Sequence, residues 1–251
     1  MILYHFLSFQ NALDDILNHH IKVATLDQVN DPYEWVFCLK APDGTLYPTS
    51  RVRDWWHARY KDKIGFISFS KYANNPVMWS HYGDRHRGIA LGFEVDLSAA
   101  KIHKVRYCAK RPVLDDVSRS SESEIQELYR QVISAKYKSW AYEAEHRAYV
   151  DLVTMCQSRV DAHHGCLMYF YPMDADILRL HEVIVGCDAH ARVKEIENAL
   201  SYGDWRNVDV RKTHLSPSEY RLEVAPRQAA PHSVTMHTQC RPLAASNQES
   251  T

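Results

Sequence analysis

Between Ile64 and Val95 the chain reads IGFISFSKYANNPVMWSHYGDRHRGIALGFEV, and this stretch limits the fold more than any other. Phe66, Ile67 and Phe69, with Ser68 and Ser70, make an apolar run of strand length, and Ile89–Phe93 after Gly88 makes a second. Between them Asn75 suits a helix N-cap and Pro76 the first helical turn, so a short helix through Met78 and Trp79 is expected. The linker also carries His81, Tyr82, His86 and two arginines. Polar and aromatic groups gathered between two strands mark a ligand-facing loop more often than a packing loop.

The rest of the chain supplies more strands than helices. Ile2–Phe9 opens as a strand with His5 and Ser8 as its polar members, followed by a helix with Leu13, Ile16 and Leu17 on one face. Ile21–Leu26 reads as a second strand and Lys101–Cys108 as another. A helix is expected from Glu122 to Tyr137. The last third, with strands at Cys166–Tyr171, Leu178–Cys187 and Val208–Lys212 and a helix from Arg192 to Tyr202, is βαβ-like, and Glu219–Val224 reads as an edge strand. The expected fold is α+β, a mixed and mostly antiparallel central sheet with flanking helices. It forms one globular domain over residues 1–225, and the Pro-, Gln- and Ser-rich residues 226–251 read as a flexible tail.

Composition narrows the function. A formal net charge of −1 over 251 residues gives no basic footprint for strong nonspecific nucleic-acid binding. No apolar run approaches the roughly 18 residues of a membrane helix, and MILYHFLSF lacks the basic start and cleavage site of a secretion signal, so a cytoplasmic protein is expected. The six cysteines show no CxxC pair and read as free thiols. His163, His164 and Cys166 match no closed zinc spacing, and no metal is expected. The absence of GxSxG, a P-loop and GxGxxG disfavours serine hydrolases, P-loop NTPases and Rossmann dehydrogenases.

What remains is a constellation. Asn30 and Asp31 precede Pro32 in a rigid turn that ends on Glu34. Glu143 and Glu145, two apart in SWAYEAEHRAYV, share one face with Arg147 if this segment is a strand, whereas on a helix they would lie about 200° apart. Two carboxylates on one face repel, so one of them should have a raised pKa unless Arg147 or His146 compensates. A solvated Glu–Arg–Glu ladder is the plain reading. Carboxylates that meet positive charge developing at an anomeric carbon are the functional one. In that reading His5, Ser68 or Ser70 fixes a ribose hydroxyl, and Trp79 or Tyr82 stacks on a flat ring.

LYHFLS, ALDDIL, VNDPYEW, FISFS, NPVMWSHYGDRHRGIALGF, KVRY and K..SWAYEAEHR, in that order over residues 2–190, resemble the bacterial family known as domain of unknown function 2971. That resemblance implies a bacterial cytoplasmic protein in a toxin or phage-defence setting. The order of strand histidine, serine-bearing strand and Glu-x-Glu is also similar to the ADP-ribosyltransferase superfamily. The latter resemblance implies NAD as substrate, His5 as ribose contact, Ser68 or Ser70 as the middle-strand residue, Glu145 as the catalytic glutamate and Glu143 as the residue that positions an acceptor. The sequence departs from that pattern in reading Ser68-Phe69-Ser70. The resulting expectation is an enzyme acting on the glycosidic bond of NAD or a nucleotide, by transfer to a protein or nucleic-acid acceptor or by hydrolysis. Its cleft would be lined by the 74–88 loop, with His81 and His86, the Asn30–Glu34 turn and the Glu143–Arg147 strand. The alternatives are a non-enzymatic nucleotide- or protein-binding module and, less favoured by charge, a metal-dependent nuclease using Asp31, Glu34 and the carboxylate pair.

Overall fold

The computed structural model describes residues 1–95, 102–115, 121–161, 165–173, 178–202, 205 and 207–226. His163, His164 and the expected tail beyond residue 226 lie outside the described residues. The elements run β1 (Ile2–Leu7), α1 (Phe9–Asn18), β2 (His20–Val23), β3 (Cys38–Leu39), α2 (Thr49–Tyr60), β4 (Ile64–Ser70), α3 (Pro76–His81) and β5 (Ile89–Glu94). They continue with β6 (Ile102–Lys104), β7 (Arg106–Cys108), β8 (Val113–Leu114), α4 (Glu122–Ile133), β9 (Ala135–Tyr137) and β10 (Glu145–Asp151). The chain then adds β11 (Gln157–Val160), β12 (Leu167–Pro172), β13 (Arg179–Val185), α5 (Val193–Ser201), β14 (Asp209–Leu215) and β15 (Leu222–Val224).

Eight strands form the central sheet in the order β15-β14-β13-β5-β1-β4-β10-β6. Its pairs are antiparallel except β13–β14, which are parallel and joined through α5. The expected α+β fold with a mostly antiparallel mixed sheet is therefore the observed one. No helix among the described residues is long and apolar enough to cross a membrane.

Alternation along the strands sorts side chains onto two faces. Leu3, Ile67, Phe69, Leu91, Phe93 and Val183 turn to one face and pack with Ala12 and Ile16 of α1 and Ile196 and Leu200 of α5. Ser8 caps α1, its Oγ accepting from the Asn11 N–H at 3.3 Å, and His19 ends it in the left-handed region at φ 53°. The opposite face carries two smaller clusters. One gathers Trp35, Phe37, Trp56 and Phe66, the other Phe6, Met78, Trp79 and Ile184. Members of both border a cavity, which therefore lies between them.

Three local readings needed correction. The helix expected to reach Tyr137 stops at Ile133, and Ala135–Tyr137 instead pairs in parallel with β7, matching Tyr107 to Lys136. The strand expected over Lys101–Cys108 breaks at Val105, so that β6 joins β10 while β7 joins β9. Ile21–Leu26 ends as a strand at Val23 and passes into a 3-10 turn over Leu26–Gln28. Each break lies where a short strand changes partners, which alternation alone does not mark.

Asp15 is the odd residue on the buried side of α1. It is 2 % exposed, and its Oδ2 has no hydrogen-bond partner among the described residues. Burial, with help from the neighbouring Asp14 charge, pushes its carboxyl up to about 8 from the ordinary 3.8. The folded chain thus holds a proton that the unfolded chain releases, so this stabilisation is complete below the ordinary value and is lost as pH rises toward 8. Asp15→Asn should therefore lose less stability than wild type between pH 5 and pH 8, by on the order of a few kcal/mol in urea melts. Parallel pH curves for the two proteins would show that Asp15 is ionised and accommodated at neutral pH.

Candidate functional site

The cavity measures about 190 Å³ and is open to solvent on the face of the sheet opposite α1 and α5. The register of β4 and β10 builds its floor. Ser68 stands opposite Arg147 and Ser70 opposite Glu145, so all four side chains rise on one face. Tyr4, opposite Ser70 on β1, shares that face.

At the centre lies a buried ion cluster. Arg147 is 1 % exposed and uses all five of its N–H groups. Nε and Nη2 donate to Glu145 at 2.7 and 3.0 Å. Nη1 and Nη2 donate to Glu34 at 2.9 and 2.6 Å, and Nη1 also reaches the Ile133 carbonyl at 3.1 Å. Lys136 lies within 2.6 Å of Glu143, 3.0 Å of Glu145 and 3.5 Å of Glu34. Burial alone would favour its neutral amine, but the three carboxylates hold the ammonium well above its ordinary range.

The two glutamates of the expected pair differ in environment. Burial would raise the Glu145 carboxyl, yet Arg147 and Lys136 overcome it and hold the group at about 2. Its oxygens accept from Ser68 Oγ at 2.6 Å, twice from Arg147 and once from Lys136. The backbone N–H of Glu145 also donates to Tyr107 Oη at 2.8 Å. Glu143 accepts from Tyr82 Oη at 2.6 Å and from Lys136 at 2.6 Å. Burial raises its carboxyl, the Glu145 charge adds to that, and Lys136 opposes without reversing it. One carboxyl of the pair is raised and the other depressed, a division that separates acid–base roles in enzymes.

The local fold explains how they converge. Glu143 is not on the strand, as its spacing from Glu145 had implied. It closes a 3-10 turn over Lys138–Glu143, and Ala144 then takes the left-handed conformation at φ 45° before β10 begins at Glu145. Ser70 Oγ donates to the Glu143 carbonyl at 2.7 Å, and Asn75 Nδ2 to the Tyr142 carbonyl at 2.9 Å. These two bonds tie the turn to β4 and to the start of α3.

The Asn30–Glu34 turn lies against the cavity: Asp31 Oδ1 accepts from the Tyr33 N–H at 2.9 Å, Asn30 and Asp31 line the cavity, and Glu34 reaches the ion cluster. The 74–88 loop contributes less than its composition suggested. Met78 and Tyr82 line the cavity, but Trp79 is fully buried, donating Nε1 to the Ala73 carbonyl at 2.7 Å and packing edge-on against Phe6. This corrects the stacking role read for Trp79. His81 is exposed beside Tyr82 and Tyr142, and His86 Nε2 lies 3.1 Å from Ser80 Oγ; neither borders the cavity. The loop is held by backbone geometry instead. Asp84, Arg85 and His86 are all left-handed, and a Cβ on Gly88 would collide with the Leu7 carbonyl oxygen.

His5 also sits differently. It borders the cavity but alternates with Leu3 and Leu7 toward the main core, its ring edge-on to Phe69 at 6.0 Å. Its Nδ1 lies 2.8 Å from the Ser68 carbonyl, which accepts only, so Nδ1 carries the proton. Burial lowers its pKa. This ring bridges β1 and β4 at the edge of the cavity, with Nδ1 engaged by the Ser68 carbonyl.

Lys136 and Tyr107 were the residues that the sequence reading passed over. Both stood inside the quoted motifs, Lys136 at the head of K..SWAYEAEHR and Tyr107 at the end of KVRY, and both gain meaning only when β7 and β9 pair. For a metal, Asp14, Asp15 and His20 bring ligand atoms within 4.8 Å of one another on the other face, but Arg159 already holds Asp14 Oδ2 at 2.8 Å.

A family model described as Protein of unknown function (DUF2971) matches residues 78–148. The match supports the resemblance to that family over a segment that holds Tyr82, Lys136, Glu143, Glu145 and Arg147, whereas LYHFLS, ALDDIL, VNDPYEW and FISFS lie before it. Comparisons with curated proteins and with solved structures gave no match.

Proposed function

We propose that the cavity receives the nicotinamide riboside end of NAD, or of a similar nucleotide, and breaks its N-glycosidic bond. The observation that carries this reading is the Glu143–Glu145 pair, joined through one lysine yet held in opposite protonation tendencies. When the C–N bond breaks, its electron pair leaves with nicotinamide, and positive charge develops on the ribose. Around the cavity Asp31, Glu34, Glu143 and Glu145 outnumber Lys136 and Arg147, so a cation gains there. Water or an acceptor hydroxyl then closes on the anomeric carbon and gives its proton to Glu143, whose carboxyl burial raises above its ordinary value and so makes a better proton acceptor. Glu145 has its oxygens taken by Ser68, Arg147 and Lys136, and in this reading it frames the site while Glu143 reacts. That reverses the roles that the resemblance implied for the two residues.

A non-enzymatic nucleotide-binding module is the second reading. The saturated bonding of Glu145 and Arg147 supports it, because such a pair holds shape without reacting. Incubating the protein with NAD and measuring free nicotinamide separates the two. Release above the protein-free rate is expected, and saturable NAD binding with no release would assign the cavity to binding alone.

A further inference from the structure

A second cavity of about 490 Å³ adjoins the first, and Lys136 belongs to both walls. β7 and β9 build one side, where Cys108 stands opposite Tyr137 in the ladder. Its charge is opposite to that of the first cavity. Lys110 and Arg111 line it together with Lys136, and among the described residues lining it there is no Asp or Glu.

Tyr33 and Tyr137 offer exposed phenol rings there, 60 % and 48 % accessible. The Arg111 guanidinium carbon lies 6.0 Å from the centre of the Tyr33 ring, and Nη1 donates to Thr49 Oγ1 at 3.1 Å. An oriented guanidinium beside an accessible ring suits a phosphate next to a flat base. Size points the same way. The first cavity, at 190 Å³, has room for one end of a dinucleotide but not the whole, since pockets that enclose a whole organic ligand span roughly 300–1,000 Å³.

We infer that the second cavity is a nucleotide site that takes the pyrophosphate and base of the dinucleotide whose riboside end enters the first. The phosphates lie against Lys110 and Arg111, and the base lies on the faces of Tyr33 and Tyr137. This inference rests on the proposed function for its ligand. The charge match is independent of any reaction: a dinucleotide with a cationic ring at one end and a dianionic pyrophosphate behind it meets carboxylates first and cations second.

Cys38 and Cys108 stand in the wall of this cavity, whereas Cys166 is exposed elsewhere, so the thiols report occupancy. The full chain is alkylated with iodoacetamide in the presence and absence of ADP-ribose, and labelling is mapped peptide by peptide. ADP-ribose should slow labelling of Cys38 and Cys108 several-fold and leave Cys166 unchanged. The Lys110→Glu/Arg111→Glu protein, altered only at positions outside the ion cluster, should lose that protection and bind ADP-ribose at least tenfold more weakly by calorimetry. Equal labelling with and without ADP-ribose, or protection that survives the double charge reversal, would overturn the inference. Nicotinamide release with unprotected thiols leaves the first cavity's reading intact and removes the second site. Protection without nicotinamide release supports the second site and removes the glycosidic reading.

Discussion

Arg147→Met should destabilise the fold by about 3–5 kcal/mol, the cost of removing one partner from a buried ion pair. The side chain is 1 % exposed, and its five donors satisfy Glu34, Glu145 and the Ile133 carbonyl. Methionine fills much of the volume but leaves two carboxylates buried, with Lys136 as their remaining cation. For a chain of this length the melting temperature should fall by roughly 10 °C, read by calorimetry or circular dichroism. Arg147→Lys should fall between the two proteins, since an ammonium has three donors and cannot match both carboxylates with a planar fork. Pairing Arg147→Met with Glu34→Gln should recover part of the loss, because the two residues interact directly and their effects do not add. A shift of less than about 1 kcal/mol for Arg147→Met would mean that the cluster is hydrated and does not bind the Asn30–Glu34 turn to β10.

Alternation located β1, and apolar runs of strand length located β4 and β5; Leu13 and Ile16 marked the covered side of α1, whereas Leu17, read on the same face, is half exposed. Asn75 and Pro76 announced α3 correctly, since capping is a local matter. Longer-range pairing was not legible. Lys136 read as the end of a helix because its neighbours keep helical spacing, and only the parallel ladder with Tyr107 brings it under both glutamates. Glu143 read as a strand residue because a left-handed Ala144 has no sequence signal comparable to glycine. Trp79 looked available for a ligand because composition does not tell which aromatic in a short helix faces the core; its bond to Ala73 and its contact with Phe6 decide that. The ordered motifs, by contrast, contain Glu34, Ser68, Tyr82, Glu143, Glu145 and Arg147, and all six border the cavity.

Glu143→Gln bears on the central claim. Glutamine keeps the shape and an acceptor for Lys136, and its amide can meet Tyr82 Oη, so folding should change little. What it removes is the carboxylate that takes a proton, and the loss of a positioned general base typically lowers a rate by about 10²–10⁴. Glu145→Gln differs in kind. It weakens the Arg147 fork, so it should lower stability together with any activity. The decisive measurement is nicotinamide release from NAD by wild type and Glu143→Gln, at matched concentration and with melting curves recorded on the same samples. The account predicts release by wild type, a fall of at least about a hundredfold in the variant, and melting temperatures that coincide within a few degrees. Full release by the well-folded variant, or no release by wild type at any NAD concentration, would contradict it.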